Sequence, residues 1–84
     1  MHKIKQMRLQ AGMSQSQLAE KSGISVRVLQ NYEAEGTAHR DFDCANLNTI
    51  LRVCIALGCS LENIIESAET INLLKKVSEV KRQK

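Results

Sequence analysis

The feature that most constrains this chain is the placement of four glycines in a sequence that contains no proline. Each glycine follows a stretch in which apolar residues recur every three or four positions, the spacing of a helix face. Glycine readily adopts the left-handed conformation in which helices end. The pattern therefore predicts short helices separated by tight turns at Gly12, Gly23, Gly36 and Gly58.

Length and composition narrow the fold further. A chain of 84 residues forms one small domain, with little room for an active-site cleft between two lobes. With 43% apolar residues it is too hydrophobic to be disordered. No apolar run reaches the roughly 18–20 residues of a membrane span. The lack of proline and the 2% aromatic content disfavour a β-sandwich or barrel, so the predicted class is a soluble all-α domain.

Serine and aspartate residues mark where the predicted helices begin. Helices are expected over about residues 2–11, 15–22, 26–33, 44–57 and 69–81, with a short fifth helix after Ser60. The proposed N-caps are Ser14, Ser25, Asp43 and Ser60. Apolar residues surround most of the fourth helix, which is therefore predicted to be the most buried: Leu47, Ile50, Leu51, Cys54 and Leu57.

The charge of the chain is unevenly distributed. Residues 1–68 carry seven basic and seven acidic side chains and are neutral overall. Residues 69–84 carry five basic and two acidic side chains and therefore the whole net charge of +3. By itself a basic tail indicates either a solvated end or attraction to a polyanion.

Three cysteines without a Cys-x-x-Cys motif, and no targeting segment, favour a reducing cytoplasm without structural disulfides. His39, Cys44 and a third thiol match no zinc spacing, so no metal or other cofactor is expected. Cys44 begins a predicted helix, where its thiol pKa could be lowered for oxidant sensing, but a packing role is favoured. No nucleophile–base pair, paired carboxylates or glycine-rich phosphate loop is recognised. The chain is not expected to be an enzyme.

Two short helices joined by the tight turn Ser22-Gly23-Ile24-Ser25 form a candidate helix-turn-helix. The turn needs a residue that tolerates positive φ, followed by a buried aliphatic side chain that fixes the second helix. The residues resemble the lambda-repressor/Cro-like, or XRE-type, helix-turn-helix family over about residues 3–66. The resemblance lies in Gln15-Ser16-Gln17-Leu18-Ala19, the turn itself, Tyr32-Glu33, and the downstream stretches Leu47–Val53 and Ala56–Ile65.

The resemblance implies a five-helix DNA-binding domain whose third helix enters the major groove. It assigns base reading to Val26, Arg27, Gln30 and Asn31. Arginine can pair with guanine through two hydrogen bonds, glutamine and asparagine can pair with adenine, and valine can contact a thymine methyl group.

The second helix is expected to cross the DNA backbone, with Gln15 at its head contacting a phosphate. Ser25 and Arg40 are further phosphate donors by their chemistry. Arg8 and Glu33 resemble the positions of an internal ion pair that joins the first and third helices in this family. That pair is predicted to be structural.

One segment departs from the family pattern. Between Glu33 and Leu47 the chain is about six residues longer than a minimal member. The stretch from Asp41 to Ala45 resembles a variant in which the fourth helix begins early and an aromatic residue fills the core. Phe42 is therefore assigned to the core and Asp43 to the N-cap.

The chain is divided into a helix-turn-helix domain, residues 1–66, and a C-terminal helix with a basic tail, residues 67–84. Ile71, Leu74 and Val77, with Leu73 and Val80 beside them, make this last helix too apolar to be left in water. It could fold back on the core, pair with a second subunit or fray beyond Val80. A homodimer formed through this helix or through the fifth helix is favoured, because two recognition helices read half-sites about 34 Å apart.

The predicted function is a sequence-specific transcriptional regulator, favoured as a repressor, that binds a pseudo-palindromic site in double-stranded DNA. The alternative is a protein-interaction module, such as an antitoxin-like partner. Val26 and Val28 on the third helix favour the alternative slightly, whereas Arg27, Gln30 and Asn31 favour DNA. No membrane association or small-molecule ligand is indicated.

Overall fold

The computed structural model describes residues 1–82, and side chains are described for residues 1–80. Within this part of the chain the fold is helical and contains no strand, which confirms the predicted all-α class. The helices are α1 (Lys3–Gln10), α2 (Gln15–Ser22), α3 (Val26–Glu33), α4 (Leu47–Leu57), α5 (Leu61–Ile64) and α6 (Ala68–Arg82). Two 3-10 turns, Gly36–Ala38 and Phe42–Cys44, lie between α3 and α4.

Side-chain caps and a left-handed glycine define the ends of α2 and α3. The Ser14 hydroxyl accepts a hydrogen bond from the Gln17 N–H at 3.1 Å, and the Gln17 side chain accepts one from the Ser14 N–H at 2.8 Å. Gly23 ends α2 with a φ of 72°. In this left-handed conformation a residue with a side chain would be strained. Ser25 then caps α3 by accepting from the Val28 N–H. The bounds predicted for these two helices are confirmed.

The core lies between α1, α2, α3, α4 and α5. Its fully enclosed members come from different helices and interlock: Ile4, Leu18, Leu29, Val53 and Ile64. Phe42 is buried as predicted, and its ring meets that of Tyr32 edge-on with centroids 5.1 Å apart. The segment after α3 therefore contributes directly to the core.

Asp43 does not cap α4, so this prediction is wrong. Asn46 takes that role by accepting a hydrogen bond from the Thr49 N–H at 2.9 Å, and α4 begins only at Leu47. The Asp43 carboxylate instead accepts from the Glu66 and Ser67 N–H groups at 3.1 and 2.8 Å. The chain turns at Phe42–Cys44 before α4 begins, which leaves Asp43 beside the start of α6.

The burial predicted for α4 is wrong on one side. Ile50, Val53 and Cys54 face the core, but Leu47 and Leu51 are 63% and 41% exposed. Ile55 is also exposed. The reason is geometric: α4 packs on α2 and α5, which cover only one side of it. Apolar residues around the whole circumference of α4 therefore did not indicate complete burial.

The C-terminal helix has two distinct apolar faces. Ile71 and Leu74 pack against the core, whereas Leu73, Val77 and Val80 are each more than half exposed. These three exposed residues, spaced four and three positions apart, are called the α6 stripe below. The side chains of Lys81 and Arg82, and residue Lys84, on which the predicted basic tail depends, lie outside the described residues. No helix within residues 1–82 has the length and apolar character to cross a membrane.

We expect Asp43→Ala to lower the free energy of unfolding by about 1–2 kcal/mol, because two backbone N–H groups lose a charged acceptor. The measurement is urea denaturation of the variant and the wild type. Glu20→Ala is the matched control, since Glu20 is exposed on α2 and its loss also removes one negative charge. Equal destabilisation by both variants would contradict a capping role for Asp43.

Candidate nucleic-acid interface

The helix α3 is polar on one side and buried on the other. Leu29 and Tyr32 face the core, while Arg27 and Gln30 are exposed and Val26 is 36% exposed. Asn31 lies half-buried at the margin of the exposed side. The four residues predicted to read bases thus lie on one side of a helix whose other side is fixed in the core.

An ion pair holds α3 to α1. Arg8 donates from Nε to Glu33 Oε2 at 2.7 Å and from Nη2 to Oε1 at 2.9 Å, and both residues are buried. Arg8 Nη1 also donates to the Met13 carbonyl at 2.8 Å, so the same guanidinium holds the link between α1 and α2. The structure thus contains the pair between the two positions singled out in the sequence. Because Arg8 donates two hydrogen bonds to Glu33, the pair fixes both the distance and the relative orientation of α1 and α3.

The residues predicted to contact phosphates lie around α3, at three different positions. Gln15 is the first residue of α2, is half-buried, and donates from Nε2 to Glu33 Oε1 at 3.1 Å. Ser25 is exposed, and because its oxygen caps α3 its hydroxyl hydrogen can point to solvent. Arg40 is exposed on the following segment, and its backbone N–H donates to the Asn31 carbonyl at 2.9 Å. That bond holds Arg40 next to the end of α3.

A cluster that sequence reasoning missed joins the segment after α3 to the residue before α1. The imidazole rings of His2 and His39 stack with centroids 3.8 Å apart. His2 Nδ1 lies 2.9 Å from Glu66, and its Nε2 lies 3.6 Å from Glu35. The hydrogen bond to Glu66 raises the pKa of His2 above its usual 6.5, and the charge of Glu35 acts in the same direction. No sequence pattern relates a residue near the beginning of the chain to a loop residue 37 positions away.

The cysteines show no sign of activation. The charge of Asp41 raises the pKa of Cys44, which lies in a 3-10 turn and not at the start of α4. Burial raises the pKa of Cys54 to about 12 and also raises that of Cys59. A lowered thiol pKa at Cys44 is thus contradicted. Within the described part of the chain, no three His, Cys, Asp or Glu side chains are grouped as metal ligands would be.

This geometry defines the class of protein. Two short helices joined through a left-handed glycine, the second with an exposed polar side, form a helix-turn-helix. A family model described as Helix-turn-helix matches residues 4–39, which include α1, α2 and α3 and end before α4. Residues 4–39 thus match the lambda-repressor-like, or XRE-type, helix-turn-helix family of DNA-binding regulators, as the resemblance predicted. No curated protein and no solved structure matches the chain.

The raised pKa of His2 makes a pH-dependent contribution to stability. The contribution is complete below about pH 6.5, as long as Glu66 and Glu35 remain ionised, and is lost as the pH rises through the higher folded-state pKa. The free energy of unfolding of His2→Gln should therefore differ from that of the wild type most at about pH 5.5 and least at about pH 8.5. Urea titrations across this range measure the difference.

The variant Glu66→Gln provides a second test of the same prediction. It removes the principal partner of His2 and should flatten the pH dependence in the same way. A difference between His2→Gln and the wild type that stays constant from about pH 5.5 to 8.5 would show that His2 acts only through packing.

Proposed function

We propose that the chain is a sequence-specific transcriptional regulator that reads double-stranded DNA through α3. The observation that carries the proposal is the two-sided character of α3 within a helix-turn-helix. Its inner side is held by Leu29, Tyr32 and the Arg8–Glu33 pair, and its outer side presents donor and acceptor groups that have no partner among the described residues. A rigid helix with such an outer side suits the major groove.

The proposed division of labour follows the chemistry of each side chain. Arg27, Gln30 and Asn31 would hydrogen-bond base edges, and Val26 would contact a thymine methyl group. Phosphate contacts, which position the protein without reading sequence, are assigned to Gln15, Ser25 and Arg40. The backbone bond between Arg40 and Asn31 supports this division, because it holds the residue assigned to phosphate next to one assigned to base reading.

We propose a repressor in the cytoplasm, without a cofactor or catalytic activity. Occupying an operator requires only a DNA-reading surface of the kind proposed for α2 and α3.

The alternative, a protein-interaction module, depended on apolar residues on the outside of α3. Val28 packs against the core and therefore does not support the protein-interaction alternative. Val26 is then the one apolar residue on the outside of α3 that still favours it. The DNA-binding function is therefore the one that the structure supports better.

We also propose that the regulator is a homodimer, with residues 1–66 reading DNA and α6, within residues 67–84, joining two copies. The α6 stripe is exposed, and beside it lies a groove of about 370 Å³ between α5 and α6. Its lining is half apolar (Leu61, Leu74 and Val77) and half polar (Ser60, Glu62 and Ser78). A second α6 could bury the stripe of the first in this region. The function supports a second copy as the occupant, because a pseudo-palindromic site needs two symmetric recognition helices.

Base reading and phosphate contact predict different losses. Arg27→Ala should weaken binding to a selected site by about 1–3 kcal/mol and leave binding to scrambled DNA nearly unchanged, whereas Gln15→Ala should weaken both alike. The measurement is a random-site selection with the wild type, followed by titration of both variants on selected and scrambled duplexes at two salt concentrations. If the wild type selects no site and binds no duplex in a salt-dependent way, the proposed function is wrong.

Val77→Glu should weaken self-association by about tenfold or more, because it places an unpaired charge in the α6 stripe. The matched control is Asn72→Glu, which adds the same charge at an exposed α6 position outside the stripe. Analytical ultracentrifugation of both variants and the wild type measures the association. A monomeric wild type, or equal effects of the two variants, would refute a dimer formed through this stripe.

A further inference from the structure

The carboxylate of Glu33 accepts hydrogen bonds from two other helices. Arg8 on α1 donates to both of its oxygens, and Gln15 at the head of α2 donates to Oε1 at 3.1 Å. Arg8 and Glu33 are 7% and 5% exposed, so this carboxylate is enclosed almost completely by its two donors and the core. A residue at the end of α3 is thereby bonded to the first residue of α2.

The ion pair by itself does not require Gln15. Arg8 already neutralises the Glu33 charge and occupies one lone pair on each oxygen. What the third bond changes is the freedom of Gln15, a long side chain at a half-buried position that would otherwise sample several rotamers. Because a carboxylate only accepts hydrogen bonds, the amide nitrogen must face Glu33. One N–H is then used inside, and the second N–H on the same nitrogen points away from the carboxylate.

The head of α2 offers two more donors next to this amide. The N–H groups of Gln17 and Leu18 are bonded to the Ser14 side chain and carbonyl. The backbone N–H groups of Gln15 and Ser16 form no hydrogen bond within the described residues, as expected for the first turn of a helix. These two groups and the outward N–H of Gln15 lie at the end of α2 that the proposed function directs towards a phosphate.

We infer that Glu33 is a positioning residue for DNA binding: it orients the Gln15 amide so that its outward N–H meets a backbone phosphate together with the head of α2. The inference rests on the proposed function and adds the role of Glu33 to it. The paired arginine explains how a carboxylate can stand behind a phosphate contact without repelling the DNA. Glu33 would then connect the position of α3 in the major groove to the contact between α2 and the DNA backbone.

A double-mutant cycle separates this role from a purely structural one. Glu33→Asp keeps the charge that pairs with Arg8 but withdraws the carboxylate by one methylene, away from Gln15. In the wild-type background it should weaken binding to a scrambled duplex by about three- to tenfold, the value of one lost hydrogen bond. In the Gln15→Ala background the same change should alter binding by no more than about twofold, because the oriented amide is already absent.

The matched control cycle uses Gln10→Ala. Gln10 is an exposed glutamine at the end of α1, and its loss should leave the full effect of Glu33→Asp in place. Thermal unfolding of every variant confirms that binding is compared between folded proteins. An equal effect of Glu33→Asp with and without Gln15 would overturn the inference and leave only a structural brace. Duplex binding that does not change in Gln15→Ala would overturn it as well, while DNA binding itself would stand.

A measurement on the wild type keeps the inference testable if Glu33→Asp does not fold. The two Nε2 protons of Gln15 should give separate NMR signals, and addition of the scrambled duplex should shift the outward proton more than the inward one. Equal shifts of both protons, or signals typical of a side chain averaging over rotamers, would refute the orientation. If no signal of the protein responds to any duplex, the proposed DNA-binding function fails instead.

Discussion

The buried ion pair between Arg8 and Glu33 is the interaction on which the arrangement of the first three helices depends. Burying two charges is unfavourable unless their hydrogen bonds are satisfied, and breaking such a pair by removing one partner costs about 3–5 kcal/mol. Here the Met13 carbonyl and the Gln15 amide complete the hydrogen bonding around the pair. The same contacts that compensate for desolvation therefore also fix α1, α2 and α3 relative to one another.

The sequence predicted the local structure of α2 and α3 well because their ends depend on adjacent residues. Ser14 bonds to Gln17 three residues later, and Gly23 takes a conformation that few other residues tolerate. The role of Asp43 could not be predicted in this way. Its partners, the N–H groups of Glu66 and Ser67, are more than twenty positions away, and α4 is capped by Asn46, which the sequence interpretation did not consider.

The same distinction applies to the candidate interface. The resemblance assigned Arg27 and Gln30 to base reading, and both are exposed on α3, opposite the buried Leu29 and Tyr32. Periodicity failed for α4, where the number of neighbouring helices decides how much of an apolar surface is covered. The bond from Gln15 to Glu33 and the stack of His2 on His39 join distant segments and left no signal in the sequence. The DNA contacts assigned to individual residues remain predictions.

The segment between α3 and α4 links the interface to the rest of the molecule. Arg40 is bonded to the end of α3, Phe42 enters the core, and Asp43 holds the start of α6. This segment therefore connects the start of α6 to the exposed side of α3 over a short stretch of chain and two sets of hydrogen bonds. Residues 1–68 are neutral overall, so their net charge supplies no long-range attraction to DNA. Under the proposed function, binding would depend on how accurately a few donors are placed, and the bonds from Arg40 to Asn31 and from Gln15 to Glu33 hold two of these residues.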